Sequence, residues 1–461
     1  MIKKLFRSKI KKIMRTKYKK LSFLLIIVTS VGFFLSSSKN PLQNLEKNIS
    51  ECAECKNIFP EADTFSLKQN FDSVYEAYKK DSKTNKKIFL GFIFFTADFS
   101  SHIRGYGGPI NIAVGLNPNK EITKIYILRH HETSSYLTKI SFFLKQFEKK
   151  KITDSFILGK DIDAITQATI TSQAITQSIK YSLEKIFGAQ DPRSFITKNI
   201  IYHELIILII IFILACSGFL FLNPFLKWLS LCVSLIYLGI LKAHMFSIIQ
   251  ISNIGLLKFP SLDNGVLWFG LLALIFLTLI SLGNIYCGSV CPFAAIQEII
   301  RKISQKLNIP SIKLAKNVDQ KARNIKYGIL LGGLFLSFIV QNSDIINFEI
   351  FILLFTARAS FLGWLFVAFI FFISFFNYRF WCKYLCPIGA FNGLLSRLSL
   401  FKIRANKKSC TACGICQNIC PTQAIDKDFT INPSECILCG ECLKNCPQQC
   451  LTLSIKKNEK S

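Results

Sequence analysis

Two runs near the C-terminus, CTACGICQNICP over 410–421 and CILCGECLKNCP over 436–447, repeat the spacing C-x2-C-x2-C-x3-C-P. Three closely spaced thiolates wrap one face of a cubane iron–sulfur cluster, and the fourth cysteine of each run reaches the other cluster. The spacing therefore groups Cys410, Cys413, Cys416 and Cys446 around one [4Fe–4S] cluster, and Cys436, Cys439, Cys442 and Cys420 around a second. The proline closing each run lacks an N–H and turns the chain away from the site. Structural zinc commonly uses two separated C-x2-C pairs rather than a tandem four-cysteine run. Cys450 falls outside both motifs and reads as a bystander.

Four further cysteines form a second pattern. IYCGSVCPFAAI (285–296) and FWCKYLCPIGAF (380–391) each place a C-x3-C-P directly after an apolar segment, as an internal repeat. On a continuing helix the i, i+4 spacing puts Cys287 with Cys291, and Cys382 with Cys386, on one face. Two such pairs facing each other make a four-thiolate site, either a further iron–sulfur centre or a thiol–disulfide relay. Packing cysteines at helix ends are the plainer alternative, but the proline recurs in the same place. Cys216 and Cys232 stand alone inside apolar segments and read as core residues.

The elements that must hold these residues follow from composition. Of 461 residues 51% are hydrophobic, 43 are Phe, and the mean hydropathy is +0.36, which predicts several membrane spans rather than one soluble core. The net charge of +29 is uneven: residues 1–20 hold ten Lys/Arg and no acid. The apolar stretch Leu21–Leu35 follows at once, so this run is a topology signal rather than a nucleic-acid tail. The organisation expected is a basic cytoplasmic N-terminus (1–20), a signal anchor or signal peptide (21–38), an exported domain (42–200), a five-span membrane domain (201–400) and a cysteine-rich cytoplasmic domain (401–455). Spans are expected at Leu205–Leu222, Phe225–Leu241, Gly265–Tyr286, Ile325–Gln341 and Ser360–Asn377, with 245–257 and 345–355 interfacial or re-entrant. Loop 298–326 carries Arg301, Lys302, Lys306, Lys313, Lys316, Lys321, Arg323 and Lys326, whereas 342–359 carries only Arg358, so the former faces the cytoplasm. His203 and His244 then fall at the outer ends of spans, where they contact a quinol, bind haem or sit at a wet interface, the last being the plainest because such positions cost little, and Lys242 is expected to snorkel. In the exported part, alternation over 86–99 and 121–130 predicts strands, RGYGGP (104–109) a turn, and 134–149 and 172–187 helices. CAEC (52–55) is followed by Lys56 rather than His, which excludes a c-type haem and favours a short disulfide.

DAITQATITS (163–172) resembles the flavin-attachment motif of FMN-binding domains, D-x-x-S/T-G-A-T, whose last threonine forms a phosphoester with FMN added by a separate flavin transferase. Asp163 matches the acid, Thr166 the hydroxyl position, Ala168 the alanine and Thr169 the attachment site, while Gln167 stands where the family has glycine. A plainer reading has Asp or Thr capping helix 172–187, and a phosphate suits the same helix start. IFPEADTF (58–65), TADFSSHIRGYGGPINIAVGL (96–116) and ITKIYILRHHET (122–133) are similar to the exported domain of the NosR/NirI family. His131, Glu132, Thr133 and Ser134 stand where that family has H-E-P-I. The resemblance continues through the spans and both kinds of cysteine motif.

The fold class expected is a multi-domain membrane protein: an exported α+β FMN-binding domain, a helical transmembrane bundle and a bacterial-type 2[4Fe–4S] ferredoxin domain of α+β type. The resemblance implies a multi-pass protein of a bacterial inner membrane, with the FMN domain periplasmic and both termini cytoplasmic. It further implies electron transfer between cytoplasmic clusters and the tethered flavin, serving a periplasmic reductase, with nitrous oxide reductase of denitrification the first candidate. A quinol dehydrogenase drawing on the quinol pool, or a redox-sensing regulator of a reductase operon, are the alternatives to a relay fed by a cytoplasmic donor. No helix-turn-helix pattern supports a nucleic-acid partner.

Overall fold

The computed structural model describes residues 53–68, 73–81, 86–132, 139–165, 168–188, 195–262, 265–312, 314–346, 349–356, 360–406, 409–426 and 428–455. The basic N-terminus, the 21–38 segment, Cys52, Thr166 and Gln167 lie outside them.

Helix α1 (Ala53–Ile58) leads into strands β1 (Thr64–Leu67), β2 (Val74–Lys80) and β3 (Lys87–Phe95), then a single turn, α2 (Thr96–Phe99). The RGYGGP turn is a small hairpin of β4 (Arg104–Gly105) and β5 (Gly108–Pro109), followed by β6 (Asn111–Leu116) and β7 (Ile122–Arg129). The long strands form one antiparallel sheet in the order β1-β2-β3-β6-β7. Successive strand residues point to opposite faces. Phe94, Ile112 and Val114 accordingly pack against Ala174, Ile175 and Ile179, whereas Ile93 and Ala113 pack against Cys55 and Ile58 of α1. Helix α3 (Ile140–Lys145) and helix α4 (Thr169–Phe187) complete this α+β layer structure. Cys55 is buried and disulfide-bonded.

The bundle comprises α5 (Phe195–Leu220), α6 (Pro224–Ser234, continued by a π-turn to Leu241), α7 (Ile248–Gly255), α8 (Val266–Ser281), α9 (Pro292–Lys306), α10 (Lys316–Ala322), α11 (Ile325–Val340), α12 (Ile350–Thr356), α13 (Phe361–Phe376), α14 (Phe380–Tyr384) and α15 (Pro387–Leu395). Among the described residues three helices are long and apolar enough to cross a membrane: His203–Leu220, Pro224–Leu241 and Val318–Val340. The other two expected spans are shorter, at 16 residues each in α8 and α13. Each stops early at a residue that breaks the ladder: Gly283 sits at φ +116°, and Asn377 is extended at φ −127° and ψ 101°. Within 245–257, Ile248 to Asn253 of α7 lie inside the bundle, while Ile254 and Leu257 are exposed.

The C-terminal domain carries β8 (Phe401–Ala405), α16 (Ile415–Ile419), α17 (Glu441–Lys444) and β9 (Leu451–Ile455), with β8 and β9 antiparallel. The sheet domain and this domain occupy opposite ends of the bundle. At one end Arg104 O accepts from Ser261 N at 3.4 Å, and Lys258 Nζ meets His131 Nδ1 at 3.3 Å. At the other, Leu438 packs at Gly283, and Lys227 Nζ lies 3.8 Å from Glu441. Helix α8 runs between those ends, and its 16 residues span about 24 Å.

Candidate redox site

Thr169 is the first residue of α4 and is exposed, while the residue before it, the buried Ala168, occupies the N-cap position. Ala168 offers no side-chain acceptor, so neither Asp nor Thr caps this helix. The loop ahead is fixed at Asp163, whose N–H donates to Gln146 Oε1 at 2.7 Å and whose carbonyl accepts from Gln146 Nε2 at 3.1 Å. Asp163, Ala168 and Thr169 thus share one loop-to-helix junction, with an exposed hydroxyl at its positive end.

Below it lies Glu132, a buried carboxylate that joins the β4–β5 hairpin to α4. Gly107 N donates to Oε1 at 2.8 Å and Thr171 Oγ1 donates to Oε2. Any side chain on Gly107 would collide with His131 O, 2.0 Å from the added carbon, so only glycine lets the hairpin close over the acid. Burial raises the Glu132 carboxyl from 4.5 to about 7 despite these donors. A carboxyl whose folded value exceeds its unfolded one stabilises the fold fully below the unfolded value, and that contribution is lost as pH rises through the folded one. The exported domain is therefore expected to lose about 3 kcal/mol between pH 4.5 and 7. Glu132→Gln keeps an acceptor for Gly107 and removes the ionisation, so its thermal midpoint is expected to be flat across that window.

The four C-x3-C-P cysteines meet in one cavity at the far end of the bundle, lined also by Phe246, Tyr286, Lys326, Phe351 and Trp381. They do not lie on continuing helices, contrary to the i, i+4 expectation. Cys287 sits in a π-turn (Tyr286–Val290), and Cys291 and Cys386 are the N-caps of α9 and α15. The proline after each second cysteine has no N–H to continue a ladder and biases that cysteine to extended backbone, so each helix ends and another begins there. Both second cysteines thereby face free helix amides: Gly389 N donates to Cys386 Sγ at 3.3 Å. Asn392 Nδ2 approaches Cys287 Sγ at 3.5 Å. Donors aimed at sulfur suit thiolates bound to metal.

Arg379, fully buried with its backbone at φ +56°, donates from Nη1 to Cys287 O at 2.7 Å and from Nη2 to Glu298 Oε2 at 3.2 Å. Glu298 is paired on its other oxygen with Arg301 at 2.8 Å. The Arg379 charge is within electrostatic reach of both Cys382 and Cys439. Lys326 and Arg323, counted in the sequence as topology signals, instead bind Glu435 at 2.9 and 3.0 Å. Lys242 likewise pairs with Glu204 rather than only reaching for water.

In the C-terminal domain Cys420, Cys436, Cys439 and Cys442 line one apolar cavity with Ile403, Ile425 and Ile431. Cys416 interacts electrostatically with Cys410, Cys413 and Cys446. Cys420 of the first motif thus shares a cavity with the first three cysteines of the second, and Cys446 of the second lies within electrostatic reach of Cys416 of the first. Ala424 N donates to Cys420 Sγ at 3.3 Å, a donor that supports a cluster-bound thiolate. Among the described residues no three His, Cys, Asp or Glu side chains close on a single metal ion; a cubane spaces its thiolates more widely. These residues fit iron–sulfur clusters.

Cys450, read from sequence as a bystander, is buried with its sulfur 3.4 Å from Cys446 Sγ and hydrogen-bonds to Cys410. Its counterpart four residues after Cys420 in the first motif is Ala424. A thiol donating to ligand sulfurs stabilises the more negative reduced cluster. Cys450→Ala is expected to lower the potential of the Cys446-linked cluster alone, on the order of the 59 mV of a tenfold one-electron shift. Cys450→Ser should keep most of it; an EPR-monitored redox titration reads both.

With this geometry, similarity to known proteins is informative. An FMN-binding domain model matches residues 105–184, which contain Gly107, Glu132 and Thr169. One 4Fe-4S binding domain model matches 264–310 and 359–406, around the C-x3-C-P cysteines, and a second matches 403–426 and 429–452. The chain is 35% identical over 155 residues to "Regulatory protein NosR" of Stutzerimonas stutzeri, covering 32% of this chain and 21% of that one. It is 30% identical over 156 residues to "Protein NirI" of Paracoccus denitrificans, 33% of this chain and 23% of that one. Segments of the chain are thus similar to NosR and NirI. The matched domains and the apolar helices are those of a multi-domain membrane protein with an FMN-binding domain and 4Fe-4S binding domains. A shorter relative, "Methylamine utilization ferredoxin-type protein MauN" of Paracoccus denitrificans, is 29% identical over 143 residues, 30% of this chain and 48% of that one. The chain matches less than a third of the length of the NosR and NirI relatives.

Sequence reasoning missed Arg379, Glu298 and Glu435. Their only advance signal was the rarity of ionisable residues beside apolar segments, which marks function by default.

Proposed function

We propose that this protein carries electrons across a membrane between the cytoplasmic clusters of its ferredoxin domain and an FMN held covalently by Thr169 in an exported domain, to supply a periplasmic reductase. The observation that carries this reading is the attachment of the FMN-binding and ferredoxin domains to opposite ends of one helical bundle, with four cysteines gathered at the ferredoxin end. A hydrocarbon core of ~30 Å separates the two compartments, so carriers must be staged. When bound, the clusters and the flavin supply one-electron chemistry on one side and one- or two-electron chemistry on the other.

The chain's own residues do the placing. Cys410, Cys413, Cys416 and Cys446, and Cys436, Cys439, Cys442 and Cys420, are the ligand sets of the two clusters. Cys287, Cys291, Cys382 and Cys386 hold a further iron–sulfur centre at the membrane edge, supported by the helix amides that face their sulfurs and by Arg379 nearby. Thr169, exposed where a helix begins, takes the flavin phosphate from a flavin transferase, with Asp163, Thr166 and Ala168 shaping the approach. Glu132 holds the β4–β5 hairpin against that helix. The N-terminus and ferredoxin domain face the cytoplasm, which agrees with the basic 298–326 loop. By likeness to NosR, the first candidate recipient is nitrous oxide reductase.

The test is topological. Full-length protein is reconstituted in sealed vesicles and dithionite is supplied only on the ferredoxin side. Flavin bleaching on the opposite face is expected. Bleaching only after vesicle lysis would refute electron passage through the protein.

A further inference from the structure

The two cluster-binding motifs of the ferredoxin domain are not equivalent in their surroundings. The second is pressed onto the bundle beside the membrane-edge cysteines. At Gly288, between Cys287 and Cys291, an added β-carbon would lie 2.0 Å from Ile437 O, between Cys436 and Cys439. At Gly393 it would lie 2.4 Å from Ser434 O. Two loops that each carry cysteines therefore touch through backbone, at a separation that only glycine allows. The cavity lined by Cys287, Cys291, Cys382 and Cys386 is closed on its cytoplasmic side by Ser434, Glu435 and Ile437. Ion pairs hold this contact: Glu435 receives Lys326 at 2.9 Å and Arg323 at 3.0 Å, all three buried. Lys227 Nζ donates to Cys439 O at 3.4 Å. The first motif has a different setting, with Cys413 exposed and Cys442 of the second motif buried.

We propose that the ligand set Cys420, Cys436, Cys439 and Cys442 is the membrane-proximal station of the ferredoxin domain, facing the C-x3-C-P cysteines, and that the set containing Cys413 faces soluble partners. Gly288 and the Glu435 ion pairs are positioning residues that fix the separation between the loops. Clusters held by these two ligand sets would exchange one electron, oxidising one cluster and reducing the other, with no bond made and no proton moved. This rests on the reading that the tandem motifs hold iron–sulfur clusters.

The experiment uses the full chain in detergent and follows release of the roughly eight iron of the tandem motifs to an excess of a ferrous chelator, after subtracting the iron that the chain with Cys287→Ser and Cys382→Ser lacks. Wild type is expected to release iron in a fast and a slow phase of equal size. Cys413→Ser should abolish the fast phase and leave the slow one. Gly288→Ala and Glu435→Gln should keep the iron as isolated yet speed the slow phase by roughly tenfold or more, the scale on which a displacement of about 1 Å matters to close approach. Glu435→Gln is nearly isosteric and covers the case in which Gly288→Ala fails to fold. Loss of the slow phase in Cys413→Ser, or wild-type release from both docking variants, overturns the assignment. Wild type isolated with no iron defeats the cluster reading itself, and the order of stations with it.

Discussion

A chain in which Cys287 and Cys382 are both serine is expected to retain the spectra of both ferredoxin clusters and to stop reducing the flavin across the vesicle membrane. Together the two substitutions remove one sulfur from each C-x3-C-P pair, and the cavity that all four line then keeps only Cys291 and Cys386. Loss of a single outer-shell partner costs a metal site about 10–100-fold, so loss of two ligands should reduce passage by at least ~100-fold. The packing cost should be small, because serine is slightly smaller than cysteine and both side chains line a cavity. Iron analysis completes the experiment: the variant should lose the iron in excess of about eight per chain. Flavin reduction at the wild-type rate would remove these cysteines from the path.

Thr169→Ala is expected to abolish covalent flavin while leaving the rest of the molecule intact. The side chain is exposed, so its removal should change stability by no more than about 0.5 kcal/mol. Intact mass should fall by one FMN beyond the side-chain difference, and fluorescence on a denaturing gel should vanish. Thr169→Ser restores a hydroxyl and should restore part of the label. Thr171→Ala is the informative contrast, since Thr171 is buried against Glu132 and should lower stability without removing the flavin. Label persisting in Thr169→Ala would move the attachment elsewhere.

The chemistry was more legible in the sequence than the architecture that serves it. Tandem cysteine spacing constrains a ligand set because a cubane needs three near thiolates and one distant one, and that requirement is local. Hydropathy marked the five long apolar helices of the described residues for a similar reason, although α8 and α13 proved shorter than expected. The i, i+4 reading of the C-x3-C-P pairs failed because proline carries its consequence backwards. It ends the helix at the second cysteine and turns that residue into a cap. Gly288, Arg379 and Glu435 were illegible for another reason: each derives its role from a neighbour some 90 to 150 residues away in sequence, namely Ile437, Cys287 and Lys326 with Arg323. Glu132 was quoted in a motif, but nothing in its sequence announced that it would be sealed beneath a glycine hairpin.

One apolar core runs without a break from the bundle into the C-terminal domain, taking in Leu438, Cys442 and Cys450. A ferredoxin module joined in this way cannot act as a tethered shuttle that swings between partners, since release would expose those side chains to water. It also constrains biogenesis. Gly288 and Gly393 seat the domain backbone against backbone, so it can dock only once the loops on both sides have folded. Before it docks, Arg323 keeps Asp319 but Lys326 lacks Glu435, so an undocked form carries a cation without the partner that its docked position supplies.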